Sequence, residues 1–306
     1  MRQDTQRVRV KDGMYLIHKL KMHDNSIEMR KFMKRKGVAK ETISILEQGY
    51  YYNATGTKVD ISKMHQQSVQ NSRLITPQEG AQMLESRQLT ELSNDKQATI
   101  VLKNQSTVAA ILELKEQGAT SIGVLNFASA KNPGGGFLNG AMAQEESLAA
   151  SGGLYETLCA HPEYYEENRK NRSMMYLDYA IFSPEVVFFR DAQFRLLEKP
   201  QTASVLTLPA VNMGQVLLKQ ENALQAEEVM RRRMELCLEI FRRMQTRQII
   251  LGAYGGGVFR NDPHKVAGWW KQLLDNGYNN VFDSIYFAVL DRSENQNSFI
   301  AFRELV

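Results

Sequence analysis

Ser121-Ile122-Gly123-Val124-Leu125-Asn126-Phe127-Ala128-Ser129-Ala130-Lys131-Asn132-Pro133-Gly134-Gly135-Gly136 carries an apolar, β-branched run straight into three consecutive glycines. Residues 121–126 read as a strand, and the proline with its glycines ends it. Gln248-Ile249-Ile250-Leu251-Gly252-Ala253-Tyr254-Gly255-Gly256-Gly257-Val258-Phe259 repeats the form. Around these two passages strand runs alternate with helical periodicities. Strands are expected at 98–102, 179–182, 186–189, 204–209 and 281–289, with Ser183-Pro184-Glu185 as a turn between two of them. Helices are expected at 106–117, 219–245 and 263–275. Met230, Met234, Cys237, Phe241 and Met244 recur at alternating spacings of four and three, a core stripe on a helix. Arg231-Arg232-Arg233 is expected on the solvated face of the same helix. This alternation implies an α/β fold whose mixed or mostly parallel sheet is covered by helices on both sides.

Working outward, residues 1 to about 25 form a basic, weakly patterned arm with Arg7, Arg9, Lys11, Lys19 and Lys21. Helices are expected near 26–36 and 38–48, the second closed by Gly49, and a short helix starts at Pro77. Residues 1–95 are therefore expected as an arm and helical extension packed on a core at 96–306. The 306 residues are 43% hydrophobic and 24% charged, which excludes disordered, collagen-like and low-complexity classes. No window approaches the roughly 18 apolar residues of a membrane span. Met1-Arg2-Gln3-Asp4-Thr5 lacks the apolar run of a secretory signal. Two cysteines, Cys159 and Cys237, exclude a disulfide framework and point to a reducing cytoplasm. Lys and Arg number 38 against 34 Asp and Glu, and this excess of +4 suits an anionic ligand while falling short of a nucleic-acid footprint.

Sites in open α/β sheets lie beyond the carboxyl ends of strands, where both glycine passages fall. Consecutive glycines let the main chain approach a ligand closely, and their N–H groups can cradle an anion. A lone glycine turn is usually only a tight turn, but two triple-glycine turns at strand ends suit the two halves of a diphosphate. No Gly-Lys-Ser/Thr follows either, and Gly252, Gly255 and Gly257 lack dinucleotide-fold spacing, so the common nucleotide signatures fail.

Gln144-Glu145-Glu146 follows within about ten residues of the first turn. Acids at a helix start complement the dipole, which is the plain structural reading. Chemically, neighbouring acids cannot flank a sugar from opposite sides as in two-carboxylate glycosidases. They can reach one ribose from the same side, one protonating a leaving oxygen while the other holds a hydroxyl. Proximity and burial raise a glutamate pKa into the range of a working acid.

Gly134-Gly135-Gly136, seven residues, then Gln144-Glu145-Glu146 resembles the catalytic motif of poly(ADP-ribose) glycohydrolases of the bacterial type. The surrounding Val124-Leu125-Asn126-Phe127-Ala128-Ser129-Ala130, Ser147-Leu148-Ala149, Leu154-Tyr155, Phe182-Ser183-Pro184-Glu185-Val186, Phe189-Arg190, Pro209-Ala210-Val211-Asn212 and Leu251 to Phe259 fit as well. The resemblance spans about residues 26–290, with one departure: the family often has cysteine where Gly256 stands. It implies a macrodomain-like three-layer α/β/α sandwich with a helical N-terminal extension. It also implies hydrolysis of the ribose–ribose O-glycosidic bond at the end of an ADP-ribose polymer, with neither cofactor nor metal. Carried over by position, Glu146 is the general acid and Glu145 holds ribose hydroxyls. Asn126 and Asn132 bind substrate, Asn132 at the terminal ribose, and Gln144 orders the loop or contacts ligand. Gly134, Gly135, Gly136, Gly255, Gly256, Gly257 and Val258 clamp the diphosphate, and Phe259 packs on the terminal ribose. The expected partner is an ADP-ribose polymer or an ADP-ribosylated macromolecule, met by a monomeric chain with no membrane and no direct nucleic-acid contact. Removal of single ADP-ribose groups and non-catalytic ADP-ribose binding are the alternatives.

Among the remaining candidates, Asn212 is read as either a cleft residue or a turn cap. An adenine platform within Phe287 to Asp291 is a further possibility. His18, His23, His65, His161 and His264 lack metal-ligand spacing and are expected at the surface or at caps. Both cysteines are expected to be packed rather than nucleophilic.

Overall fold

The computed structural model describes residues 33–87 and 97–306. Its strands are β1 (Tyr50–Tyr52), β2 (Lys58–Asp60), β3 (Arg73–Ile75), β4 (Thr99–Lys103), β5 (Ile122–Ala128), β6 (Ala180–Arg190), β7 (Leu196–Pro209), β8 (Gln248–Leu251) and β9 (Ser284–Ala288). Helices α1 (33–48), α2 (Ser62–Asn71), α3 (Pro77–Glu85) and α4 (Thr107–Glu116) lead to α5 (Gln144–Ser151), α6 (Leu154–Cys159) and α7 (Pro162–Lys170). Later in the chain come α8 (Met213–Leu218), α9 (Ala223–Arg243), α10 (Pro263–Asp275) and α11 (Asn297–Ala301).

Seven strands form one sheet in the order β3-β6-β7-β5-β8-β9-β4. From β7 to β4 every neighbouring pair is parallel, while β6 is antiparallel to both β7 and β3. The sheet is mixed and mostly parallel, as the alternation of elements implies. Side chains along a strand point alternately to opposite faces, and β5 shows why its sequence is apolar throughout. Val124 packs among α4 to α7, and the next residue, Leu125, packs among α9 and α10. Gly123 marks a close approach: a Cβ there would stand 2.6 Å from Phe241 and Thr246. The methionine stripe of α9 is core, with Met230, Met234, Cys237 and Phe241 fully buried.

The N-terminal elements are sewn to this sandwich. Thr42 of α1 donates from Oγ1 to Ala150 O of α5 at 2.8 Å, and Ala39 packs with Phe137 and Ala149. Gly49 closes α1 at φ +78°, and α3 opens at Pro77 behind a reciprocal cap between Thr76 and Glu79. β3 adds an edge strand to the main sheet.

Four readings are corrected. Ser183-Pro184-Glu185 is a bulge inside one long strand: β6 pairs Ser183 with Val205 and next Val186 with Ala203, with Glu185 at φ +48°. Proline and a left-handed residue shift register here without reversing the chain. The helix expected over 219–245 is present as α9 but starts only at Ala223, because Gln220 turns at φ +58° and Asn222 caps α9 by accepting from Gln225 N. The two helices expected near 26–36 and 38–48 are one helix across 33–48, which runs through Gly37; residues before 33 lie outside those described. Arg233 is not solvated but 0% exposed, on the side of α9 that carries Met230 and Met234. Its charge is met by Asp178 at 2.7 Å, and it donates to Met175 O and Pro209 O.

Candidate active site

The end of β5 and the start of α5 are joined by side chains that act as extra strand partners. Gln144 accepts from Phe127 N at 2.8 Å through Oε1, while its Nε2 donates to Leu125 O at 2.8 Å and Thr107 Oγ1 at 3.2 Å. Gln144 thereby fixes where α5 begins. The next residue, Glu145, turns inward and is 3% exposed. It accepts from Ser129 N at 2.7 Å and from Asn126 Nδ2 at 3.2 Å. Burial, opposed by those two hydrogen bonds and reinforced by the charge of Glu146, pushes its carboxyl up to about 8.

Glu146 faces the glycine turn. Its Oε1 accepts from Gly136 N at 2.9 Å and its Oε2 from Ala143 N at 3.0 Å. Ala143, at the N-cap, has no side chain to cap with, so Glu146 closes the first turn of α5 alone. Gly134 and Gly135 adopt φ of +63° and +60°, and a Cβ on Gly135 would overlap Glu146 Oε1 and stand 3.0 Å from Glu145 Oε2. Both carboxylates thus converge on one glycine that no other L-residue replaces without displacing them.

The second glycine turn faces the first across a cleft of about 1310 Å³. Gly255 and Gly257 have φ of +73° and +57°. Asn261 Nδ2 donates to Gly255 O and to Val211 O, each at 2.8 Å, latching this turn to the segment after β7. Asn132, Gly135, Gly136, Gln144, Glu145, Glu146, Gly255, Gly256, Gly257, Val258 and Phe259 all line the cleft, so passages about 120 residues apart in sequence meet in one site. The volume exceeds the roughly 300–1000 Å³ of a small-ligand pocket.

Two of the expected residues do not line it. Asn126 is 0% exposed and lies beneath the cleft floor, donating to Glu145 and Thr207. Gly134 turns toward the Tyr155 ring, which a Cβ would meet at 3.1 Å. Asn212 is a cap, accepting from Gln215 N. Phe287 is buried against Trp270 and Phe302, so the end of β9 offers Ala288 to Arg292 to the cleft but no aromatic platform. His65 is buried rather than superficial, with Nε2 2.7 Å from Glu156. Cys237 is packed, whereas Cys159 is at the surface.

Sequence reading missed Tyr176, Phe194 and Arg35, which also line the cleft. Tyr176 and Phe194 have φ of +59° and +63°, a conformation no local pattern announces. Arg233 donates to the carbonyls of Met175 and Tyr176 from within the core and so holds the Tyr176 segment, whose ring is 6.0 Å from that of Phe259. No group of His, Cys, Asp and Glu suited to a metal occurs among the described residues, and no helix among them is long and apolar enough to cross a membrane.

A family model described as microbial-type PARG, catalytic domain, matches residues 39–191. The crystal structure of poly(ADP-ribose) glycohydrolase (PARG) from Thermomonospora curvata superposes with a TM-score of 0.85 at 38% identity, covering 90% of this chain and all of that one. The same enzyme bound to the inhibitor ADP-HPD gives 0.83 at 37% identity, with the same coverage. The Deinococcus radiodurans PARG in complex with ADP-ribose gives 0.74 at 39% identity, covering 78% of this chain and 96% of that one. No curated protein matches. A catalytic-domain model matched to half of the chain, and solved relatives aligned over 78–90% of it, agree with the glycine and glutamate geometry: the chain belongs to the microbial-type poly(ADP-ribose) glycohydrolase family.

Proposed function

We infer that the protein hydrolyses the ribose–ribose O-glycosidic bond at the end of ADP-ribose polymers and releases ADP-ribose, with Glu146 as the general acid. The observation that carries this reading is the convergence of Glu145 and Glu146 on Gly135, in a cleft that the second glycine turn also lines. The diphosphate of the terminal unit lies between the two turns, held by backbone N–H groups, each worth about 1.5–3 kcal/mol to a charged oxygen. Glu145, with a pKa near 8, is mostly neutral at pH 7. It therefore accepts or donates to ribose hydroxyls without repelling the diphosphate beside it. Asn126 acts through Glu145, as a positioning residue under the floor.

Protonated Glu146 gives its proton to the departing ribose oxygen as the bond from that oxygen to C1 breaks. The sugar left behind has oxocarbenium character, and water adds to its C1. The proton lost by that water returns to the Glu146 carboxylate, which restores the acid. General acid catalysis of this kind is worth about 10²–10⁴ in rate. The Oε1 and Oε2 contacts to Gly136 N and Ala143 N hold the carboxyl in place between turnovers. Asn132 and Phe259, both at the cleft surface, supply contacts to the terminal ribose.

The same reading makes an ADP-ribosylated macromolecule the partner of a monomeric, cytoplasmic protein, for which two unpaired cysteines are in keeping. Incubation of polymer-modified and singly modified protein with the enzyme tests the function. Free ADP-ribose appears from the polymer as the chains shorten. Intact polymer with release from the singly modified substrate would replace this reading with mono-ADP-ribosyl hydrolysis.

A further inference from the structure

Arg35 stands on α1 one helical turn before Ala39 and two before Thr42, the residues by which α1 rests on α5. It therefore projects from the face of α1 that meets the helix of Glu146. Arg35 lines the cleft together with Leu138, Tyr155, Ala192 and Phe194. It is half-buried and makes no hydrogen bond or ion pair with any described residue. Ala192 and Phe194 belong to the turn joining β6 and β7, so α1 and that turn together wall this part of the cleft. Gln105, Ala288 and Arg292 line the cleft from the β4–β9 edge of the sheet, across β5 from β6 and β7.

The wall carrying Arg35 is fixed by a second arginine. Arg190, 2% exposed, donates from Nε to Thr42 Oγ1 at 3.2 Å and from Nη1 to Phe194 O at 2.9 Å. Its Nη2 is 2.9 Å from Glu41 of α1. α1, the β6–β7 turn and α5 thus form one braced surface, and Arg35 is the cation that α1 adds to the cleft lining.

A polymer places a specific demand on this surface. The terminal diphosphate is gripped by neutral glycine turns. The leaving group, however, is the ribose of the next unit, and that ribose carries its own diphosphate. We propose that Arg35 binds the diphosphate of this second ADP-ribose unit, on the leaving side of the scissile bond. The inference rests on the polymer-hydrolysing reading above and makes α1 a determinant of polymer over single-unit recognition. A planar guanidinium meets phosphate oxygens two at a time, which a lysine does not.

The experiment uses the full chain carrying Glu146→Gln, so that ligands stay whole, with ADP-ribose and the ADP-ribose dimer titrated at low salt. The parent binds the dimer about tenfold tighter than the monomer, as one charge-assisted contact supplies. Adding Arg35→Ala removes that difference and leaves the monomer affinity in place, while Arg35→Lys keeps part of it. Equal affinities in the parent, equal losses for both ligands, or no change on Arg35→Ala would each overturn the proposal. Failure of the wild-type enzyme to release ADP-ribose from the dimer would instead overturn the function. The binding titration reads Arg35 either way.

Discussion

Gly136 N donates to Glu146 Oε1 at 2.9 Å, so the glycine turn and the acid it serves are held by one hydrogen bond. The neighbouring Gly135 leaves no room for a side chain, because a Cβ there would overlap the same oxygen. Gly135→Ala should therefore push the Glu146 carboxyl aside while the chain still folds. Misplacement of a catalytic group by about 1 Å costs around 10²-fold in rate. A fall in kcat of about that size, with melting temperature lowered only slightly, is expected from release assays run beside thermal melts. Unchanged kcat would show that the carboxyl does not depend on this contact.

Glu145 should make stability depend on pH. The folded chain keeps its proton up to about pH 8, whereas an unfolded glutamate releases it near 4.3. Between those values the folded state binds the extra proton, so this contribution is fully present below about pH 4.3 and is lost as pH rises through 8. Melting curves from pH 5 to 8.5 should show wild type losing ground to Glu145→Gln, which has no proton to lose. A constant difference between the two across that range would contradict the burial argument.

Asn261 holds the second turn through Gly255 O and Val211 O. Asn261→Ala frees both carbonyls and should loosen the diphosphate cradle. ADP-ribose affinity is expected to drop about tenfold, the equivalent of one lost charge-assisted contact. Calorimetric titration of the variant checks it, and wild-type affinity would remove the latch from the account.

Asp178 and Arg233 form the buried pair behind Tyr176. Asp178 is partly desolvated, which raises its carboxyl, but Arg233 and Arg232 outweigh that and hold it below the usual range. Asp178→Ala leaves a fully buried guanidinium without its counter-charge. The expected loss is about 3–5 kcal/mol, read as a lower melting temperature. A smaller loss in Arg233→Met, which removes the charge itself, would separate an uncompensated charge from simple lost packing.

Much of this site is legible in the amino-acid sequence itself. Asn126 to Gly136 and Gly252 to Phe259 end apolar strands, and strand ends of α/β sheets are where ligands bind, so both turns could be placed from periodicity alone. The role of Gln144-Glu145-Glu146 followed from family resemblance more than from physics. What stayed hidden depends on tertiary contact. Asn126 sits at a strand end like a ligand residue, yet the pleat turns it under Glu145. Ser183-Pro184-Glu185 has the composition of a turn, but pairing with β7 on both sides of it carries β6 through as a bulge. Arg233 belongs to a basic triplet, and only its place opposite Asp178 draws it into the core. Arg35 is one cation in a basic segment, and nothing local distinguishes it from Lys34.

The central claim is that Glu146 supplies the proton while other groups supply the grip. Titration of Glu146→Gln with ADP-ribose, paired with single-turnover release from polymer by the same preparation, addresses it directly. The account predicts affinity close to wild type and release slowed by at least about 10²-fold. Release at the wild-type rate, or loss of ADP-ribose binding as large as the loss of turnover, would contradict it.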